Sequence, residues 1–211
     1  MAKSNQQNDN LNFYVYILEE IKARIEILNM AMNGRMGTGL TPPFLREISY
    51  LQLRMMCELV AIGCISAHGD LESTKSNSIQ KEYAADKIIK RLEKLHPDFY
   101  PHPVKLTINT GNVNMERVEA GHLSKAELIN LYHECGEKLH RGKLGSFKTT
   151  SDKMKQPDLS DVFEWGRKFI ALLNQHHIAS KDNLSHYVCV LNYQELNNHA
   201  CVWIAQSPLP K

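Results

Sequence analysis

One helical segment ends in residues that could move protons and hold anions. The stretch YHECGEKLHRGK, residues 132–143, places His140 and Arg141 side by side where the helix is predicted to end. A histidine can act there as a general acid or base, and an adjacent arginine can stabilise charge on a phosphate. His140 and Arg141 are therefore the candidate catalytic residues. The alternative is a helix C-terminus that the histidine stabilises without any chemistry.

Basic residues continue beyond this helix and form a candidate nucleic-acid interface. Lysines and arginines outnumber acidic residues across positions 137–155, although the whole chain carries a formal charge of only +2. Contacts to phosphates would use such a patch, and the candidate residues are Lys138, Lys143 and Lys148. A solvated loop without a ligand explains the same charges.

A third candidate is a polar pocket in an otherwise apolar helix. Arg54 and Glu58 are four residues apart and share one side of the helix predicted between Thr41 and Gly69. Because burying an unpaired charge costs several kcal/mol, both side chains are predicted to be largely buried and to have partners. Together with Tyr132 they could line a pocket, or Arg54 and Glu58 could form a purely structural pair.

Several classes of chemistry lack their residue patterns in this sequence. The five cysteines contain no CxxC pair, and there is no HExxH, phosphate-binding loop or nucleophile elbow. A metal site built from His133, Cys135 and His140 would lack any supporting motif. The sequence therefore predicts no metal, no cofactor and buried free thiols, and it favours a protein that is not an enzyme.

Hydrophobic periodicity predicts five helices and two hairpins. The helices are expected to end at Asn33–Gly34, to run between Thr41 and Gly69, to span 79–95, to begin at Ser124 with a Ser124–Glu127 capping box, and to run from Leu159 to about His177. Strand-like runs at 104–108 and 113–118 predict a mid-chain hairpin, and residues 186–206 predict a C-terminal hairpin.

The predicted fold class is mainly α. It is an antiparallel bundle of about five helices with the two hairpins attached. Residues 1–10 are polar and are expected to form a disordered tail, and residues 11–211 are expected to form a single domain. No apolar run reaches the roughly 18–20 residues of a membrane span, and the first ten residues lack the apolar region of a signal peptide. We therefore expect a cytoplasmic protein without a membrane partner.

Two segments resemble small bacterial helical proteins of the HEPN-like group. They are YLQLRMMCELVAIGC, with its arginine and glutamate in an apolar helix, and LINLYHECGEKLHRG, with a histidine at a helix end. The resemblance implies an antiparallel helical bundle, a homodimer, and a role in bacterial defence or in a toxin–antitoxin system. Several members of that group are RNases whose motif places an arginine five to seven residues before a histidine. Only His140 matches that motif here, because Cys135, Glu134 and His133 occupy the arginine positions.

Three functions follow from these candidates. The first is a non-catalytic HEPN-like interaction module that binds itself or a protein partner. The second is a divergent metal-free RNase, or an RNA-binding protein, that uses His140 with a nearby arginine. The third is a small-ligand or nucleotide-binding protein with a pocket at Arg54 and Glu58, which would require a concave site reaching Arg54.

Overall fold

The computed structural model describes residues 2–36, 40, 42–69, 79, 81–109, 112–140 and 158–206. For residues 2–8, 42, 108–109, 112–113 and 206 it describes the backbone alone. Three predicted site residues, Arg141, Lys143 and Lys148, lie outside the described residues.

Helices and strands alternate in blocks along the chain. The helices are α1 (Ala2–Met32), α2 (Pro42–Ala67), α3 (Ala85–Leu95), α4 (Lys125–Leu139) and α5 (Ser160–Leu173). The strands are β1 (His102–Asn109), β2 (Asn112–Arg117), β3 (Gln175–Ala179), β4 (Ser185–Tyr193) and β5 (His199–Gln206). A short 3₁₀ helix, Gln194–Leu196, forms the turn between β4 and β5.

All five strands belong to one antiparallel sheet with the order β2-β1-β3-β4-β5. The hairpins β1–β2 and β4–β5 were expected, but β3 was not. This strand pairs with β4 over its full length and with β1 at His102–His177 and Pro103–His176. It therefore joins the two hairpins into a single sheet.

The predicted all-α helical bundle is wrong, since the described fold is α+β. The error lies at residues 175–179, where the fifth helix is predicted to continue to about His177 and no strand is predicted. That helix ends at Leu173, and the chain enters β3 two residues later. His176 is fully buried in β3, and its neighbours in the sheet determine its conformation more strongly than helix propensity does.

Two other helix boundaries also differ from those predicted. The α1 helix includes residues 2–10, which were expected to be a tail, and it ends as predicted before Gly34 at φ +67°. The predicted helix 79–95 is interrupted, because residue 79 is helical but residues 81–84 are not, and α3 begins at Ala85. The capping box of α4 is confirmed, because Ser124 accepts from the Glu127 amide and the Glu127 carboxylate accepts from the Ser124 amide.

The helix α2 is the centre of the helical layer. It packs against α1, α3 and α4, and less extensively against α5. Close approach to α1 requires Gly63, where an added Cβ would lie 2.9 Å from Cε2 of Tyr14. The sheet packs its inner side on α1 and α5, and contributes Ile178, Tyr187, Cys189 and Leu191 to the core.

Length and composition alone would allow α2 to cross a membrane. An 18-residue window within Pro43–Ala67 has a mean hydropathy of 1.4, but 61% of this window is buried inside the protein. A buried core helix can have the same length and hydropathy, so these properties of α2 are only weak evidence for a membrane span. The expectation of a cytoplasmic protein stays a prediction.

Candidate functional site

The structure brings together the three residues of the predicted polar pocket. Arg54 and Glu58 lie on α2, and their Nε and Oε1 atoms are 3.3 Å apart. Tyr132 lies on α4, and its hydroxyl accepts a hydrogen bond of 2.8 Å from Nη2 of Arg54. The arginine side chain is 28% exposed and the glutamate 19%, so both are largely, though not completely, buried. Each has a partner, as expected.

A glycine on α4 makes room for this arginine. An added Cβ at Gly136 would lie 3.2 Å from Nη1 of Arg54. The guanidinium carbon lies 4.3 Å from the centre of the Tyr132 ring, within the range of a cation–π contact. Nη1 has no hydrogen-bond acceptor among the described residues, since the acceptors of Nε and Nη2 are Glu58 and Tyr132.

Acidic groups surround the tyrosine of this cluster. Burial raises the pKa of Tyr132, and the negative charges of Glu58 and Asp86 raise it further, against the opposing effect of Arg54. Asp86, at the start of α3, also lies 3.7 Å from Nε2 of His133. The phenol is therefore a hydrogen-bonding group rather than a base at neutral pH. The nearby charges are balanced rather than strongly positive.

A second polar network, which was not predicted, connects α2, α4 and α5. The buried Tyr50 hydroxyl lies 3.0 Å from Oε1 of Glu134 and 2.7 Å from Oδ2 of Asp161. Arg46 forms an ion pair with Asp161 and reaches the backbone carbonyl of Asp158. The network therefore joins the end of α4 to the start of α5.

The ionisable side chains in this network keep their usual protonation states at neutral pH. Burial raises the pKa of Tyr50, and the hydrogen bonds to Asp161 and Glu134 raise it further. Burial opposes ionisation of Asp161, but hydrogen bonds from Arg46 and Tyr50 outweigh it and lower the pKa of that carboxyl. The spacing of Arg46 and Tyr50, four residues apart on α2, was the available sequence signal.

The predicted catalytic residues are not assembled in the described part of the chain. His140 is exposed and caps α4, where its backbone amide donates to the carbonyl of Gly136. Its ring forms no hydrogen bond or ion pair with another described residue, so no described arginine is paired with it. Lys138 is exposed, with its ammonium 6.0 Å from the centre of the Tyr50 ring.

Histidines that were not proposed as site residues are held in fixed roles. His176 donates from Nδ1 to the carbonyl of Leu173 at 3.0 Å and accepts from the Tyr14 hydroxyl at 2.7 Å. Burial lowers the pKa of His176 to about 4, so the ring is neutral at pH 7. His68 and His96 stack edge to face in the core, with ring centres 4.9 Å apart.

Metal binding has no support in the described residues. Among them, no group of three or more histidine, cysteine or acidic side chains could hold an ion. All five cysteines are free and buried. Burial raises the pKa of Cys135 to about 12, which makes its thiol a poor nucleophile or metal ligand.

Comparisons with known proteins give this chain no relatives from which a site could be transferred. No protein-family model, curated protein or solved structure matches it significantly. The resemblance to HEPN-like proteins stays a prediction. Any function must be argued from the geometry described above.

Proposed function

We propose that this chain is a non-catalytic protein-interaction module that binds through one side of its helical layer. The observation that supports this is a set of large apolar side chains exposed on α1 and α2. We call this surface the α1–α2 outer face. Its most exposed members are Phe13 (52% exposed), Tyr16 (67%), Phe44 (45%) and Leu51 (44%).

Contacts between the two helices place these residues on one side. The helices are antiparallel, since Tyr14 packs on Gly63 while Arg24 Nη1 donates to Gln52 at 2.9 Å. Arg24 remains partly exposed at this contact, and helical periodicity places Phe13 on the same side of α1 as Arg24. On α2, the half-buried Ile48, Met55 and Ile62 continue the row of Phe44 and Leu51.

The amount of exposed apolar surface favours a partner. A large side chain presents about 200 Å² when fully exposed, so the four exposed residues together offer roughly 400 Å². Monomeric proteins rarely leave apolar patches larger than a few hundred Å² open to water. The largest apolar patch on a typical monomer is about 300–600 Å² and is often functional, and the α1–α2 outer face is of that size, so it is a candidate docking surface.

The polar residues support a non-catalytic role. Arg54 is paired with Glu58 and Tyr132, and Asp161 is paired with Arg46 and Tyr50. Each of these charges therefore stabilises contacts between helices. Activation of a nucleophile needs a base within hydrogen-bond reach. The carboxylates of Glu134 and Asp161 lie within reach of the Tyr50 hydroxyl, but that side chain is buried and its pKa is raised, which makes it a poor nucleophile. The RNase alternative depends on His140, which has no described partner to complete a mechanism.

The native size of the chain in a cell lysate tests this proposal. We expect the chain to elute from a sizing column above its own mass of 24.1 kDa, and Leu51→Asp to shift it to the monomer position. Leu184→Asp is the matched control, because Leu184 is also 44% exposed but lies in the turn between β3 and β4. Thermal melts of both variants check that the fold is retained.

Two results would count against the proposal. One is a wild-type chain that elutes as a monomer in lysate. The other is a complex that Leu51→Asp leaves intact, which would place the binding surface elsewhere.

A further inference from the structure

We infer that the partner on the α1–α2 outer face is a second copy of this chain, which packs its α2 antiparallel to the first about a two-fold axis close to Leu51. This inference rests on the proposed function and names the occupant of its surface. Three observations support it: the spacing of the exposed apolar residues, the placement of two opposite charges, and the available area.

The apolar row on α2 is self-complementary. Phe44, Ile48, Leu51 and Met55 follow one another at steps of three or four residues and therefore lie along one side of the helix. In an antiparallel pair centred near Leu51, that residue meets its own copy. Ile48 then lies beside Met55 of the second copy, and the same contact occurs twice, as two-fold symmetry requires.

The charges at the edge of this row fit the same arrangement. Glu47 is exposed and forms no ion pair or hydrogen bond with another described residue. Arg54 lies two turns later on the same flank, and its Nη1 has no acceptor among the described residues. An axis near Leu51 lies midway between them, so Glu47 of each copy would oppose Arg54 of the other.

The exposed apolar area supplies the centre of a dimer interface of ordinary size. Stable interfaces bury on the order of 800 Å² per partner. The exposed parts of Phe13, Tyr16, Phe44 and Leu51 provide about half of this, or roughly 400 Å². Half-buried apolar residues and the polar edge would supply the remainder, in proportions typical of an apolar centre with a polar rim.

Analytical ultracentrifugation of the purified full chain tests the inference. We expect a monomer–dimer equilibrium between about 1 and 100 µM, the range for a modest interface. Leu51→Asp should abolish the dimer. Glu47→Arg, a substitution at an exposed position, should weaken dimerisation about tenfold or more by placing two arginines together at each edge. Leu184→Asp should leave the dimer unchanged.

A cross-link tests the position of the axis. We expect Leu51→Cys to form an intermolecular disulfide under mild oxidation, because each introduced thiol would face its copy. Leu184→Cys should not form this disulfide. The native thiols do not interfere, since all five cysteines are buried.

Three other outcomes would overturn the inference in different ways. A purified chain that stays monomeric at 100 µM overturns the homodimer, but it leaves the proposed function intact if the lysate complex persists. A dimer that survives Leu51→Asp, or that does not cross-link through Leu51→Cys, overturns the antiparallel α2 arrangement. Recruitment of the monomer to phosphatidylcholine vesicles, with loss on Leu51→Asp, would identify a membrane surface as the occupant and would also overturn it.

Discussion

The guanidinium of Arg54 lies over the ring of Tyr132 and donates to the hydroxyl of the same residue, with 4.3 Å from Cζ to the ring centre and 2.8 Å from Nη2 to the oxygen. One side chain of α2 thereby contacts α4 through both its charge and its hydrogen bonds. Glu58, one turn further along α2, forms an ion pair with the same guanidinium. The three residues fix how the two helices pack.

Removing the arginine alone should cost more than removing the whole ion pair. Arg54→Met leaves Glu58 half-buried without its cation, and we expect a loss of about 1–2 kcal/mol in the free energy of unfolding. Arg54→Met combined with Glu58→Leu removes the unpaired charge and should cost less. Denaturant unfolding of the wild type, both single variants and the double variant measures the coupling. Additive losses would show that the residues do not act as a pair.

Two helical glycines should respond differently to alanine. At Gly63 an added Cβ would lie 2.9 Å from the buried Tyr14 ring, which cannot withdraw because its hydroxyl is bonded to His176. Gly63→Ala should therefore destabilise the fold by about 1–3 kcal/mol. At Gly136 the close neighbour is the tip of Arg54, which can move. Gly136→Ala should be neutral, or should stabilise by up to about 1 kcal/mol through helix propensity.

Thermal melts of the two alanine variants provide the comparison. Similar losses at both positions would mean that the Arg54 side chain is as constrained as the Tyr14 ring. The substitutions are chemically identical, so each serves as the control for the other.

Acid should destabilise the fold through His176. The pKa of this ring is about 4 in the folded state, against about 6.5 when unfolded. Between these values the unfolded chain binds a proton that the folded chain does not, so stability falls as pH decreases from about 6.5 to 4. The slope for a single histidine is at most about 1.4 kcal/mol per pH unit in this window.

Denaturant unfolding between pH 7.5 and 4 measures this slope. We expect His176→Gln to be less stable at pH 7 but to lose less stability on acidification than the wild type. Equal slopes in the two proteins would show that His176 does not account for the acid sensitivity.

The candidate catalytic histidine should be dispensable. His140 is exposed at the end of α4, so His140→Ala should change stability by less than about 2 kcal/mol. We expect neither the wild type nor this variant to cleave single-stranded RNA. Cleavage by the wild type that His140→Ala abolishes would contradict the non-catalytic account and favour the RNase alternative. Binding that weakens steeply with salt would indicate phosphate contacts.

Local signals predicted much of the fold. The Ser124–Glu127 capping box correctly located the start of α4, because its hydrogen bonds lie within one turn. Gly34 correctly marked the end of α1, because its left-handed backbone favours glycine. The strand β3 was missed because residues 175–179 follow a helix almost directly. Their strand conformation depends on pairing with β4 and β1, which no local pattern reveals.

Part of the candidate site could also be predicted from the sequence. The ion pair of Arg54 and Glu58 follows from a spacing of four residues on one helix. The network around Tyr50 joins residues more than eighty positions apart, so only the fold reveals it. The hydrophobic periodicity that predicts the helices includes Phe13 in α1 and Phe163 in α5, but both side chains are more than half exposed, so periodicity alone does not identify the buried residues.

The reactivity of a thiol introduced at position 51 tests the central claim most directly. Because the native cysteines are buried, maleimide should label Leu51→Cys and Leu184→Cys selectively. We expect the thiol at position 51 to react several-fold more slowly in intact cells than in dilute purified protein, while the thiol at position 184 reacts at the same rate in both. Equal rates at position 51 would show that the α1–α2 outer face is not covered in the cell, and would contradict the account.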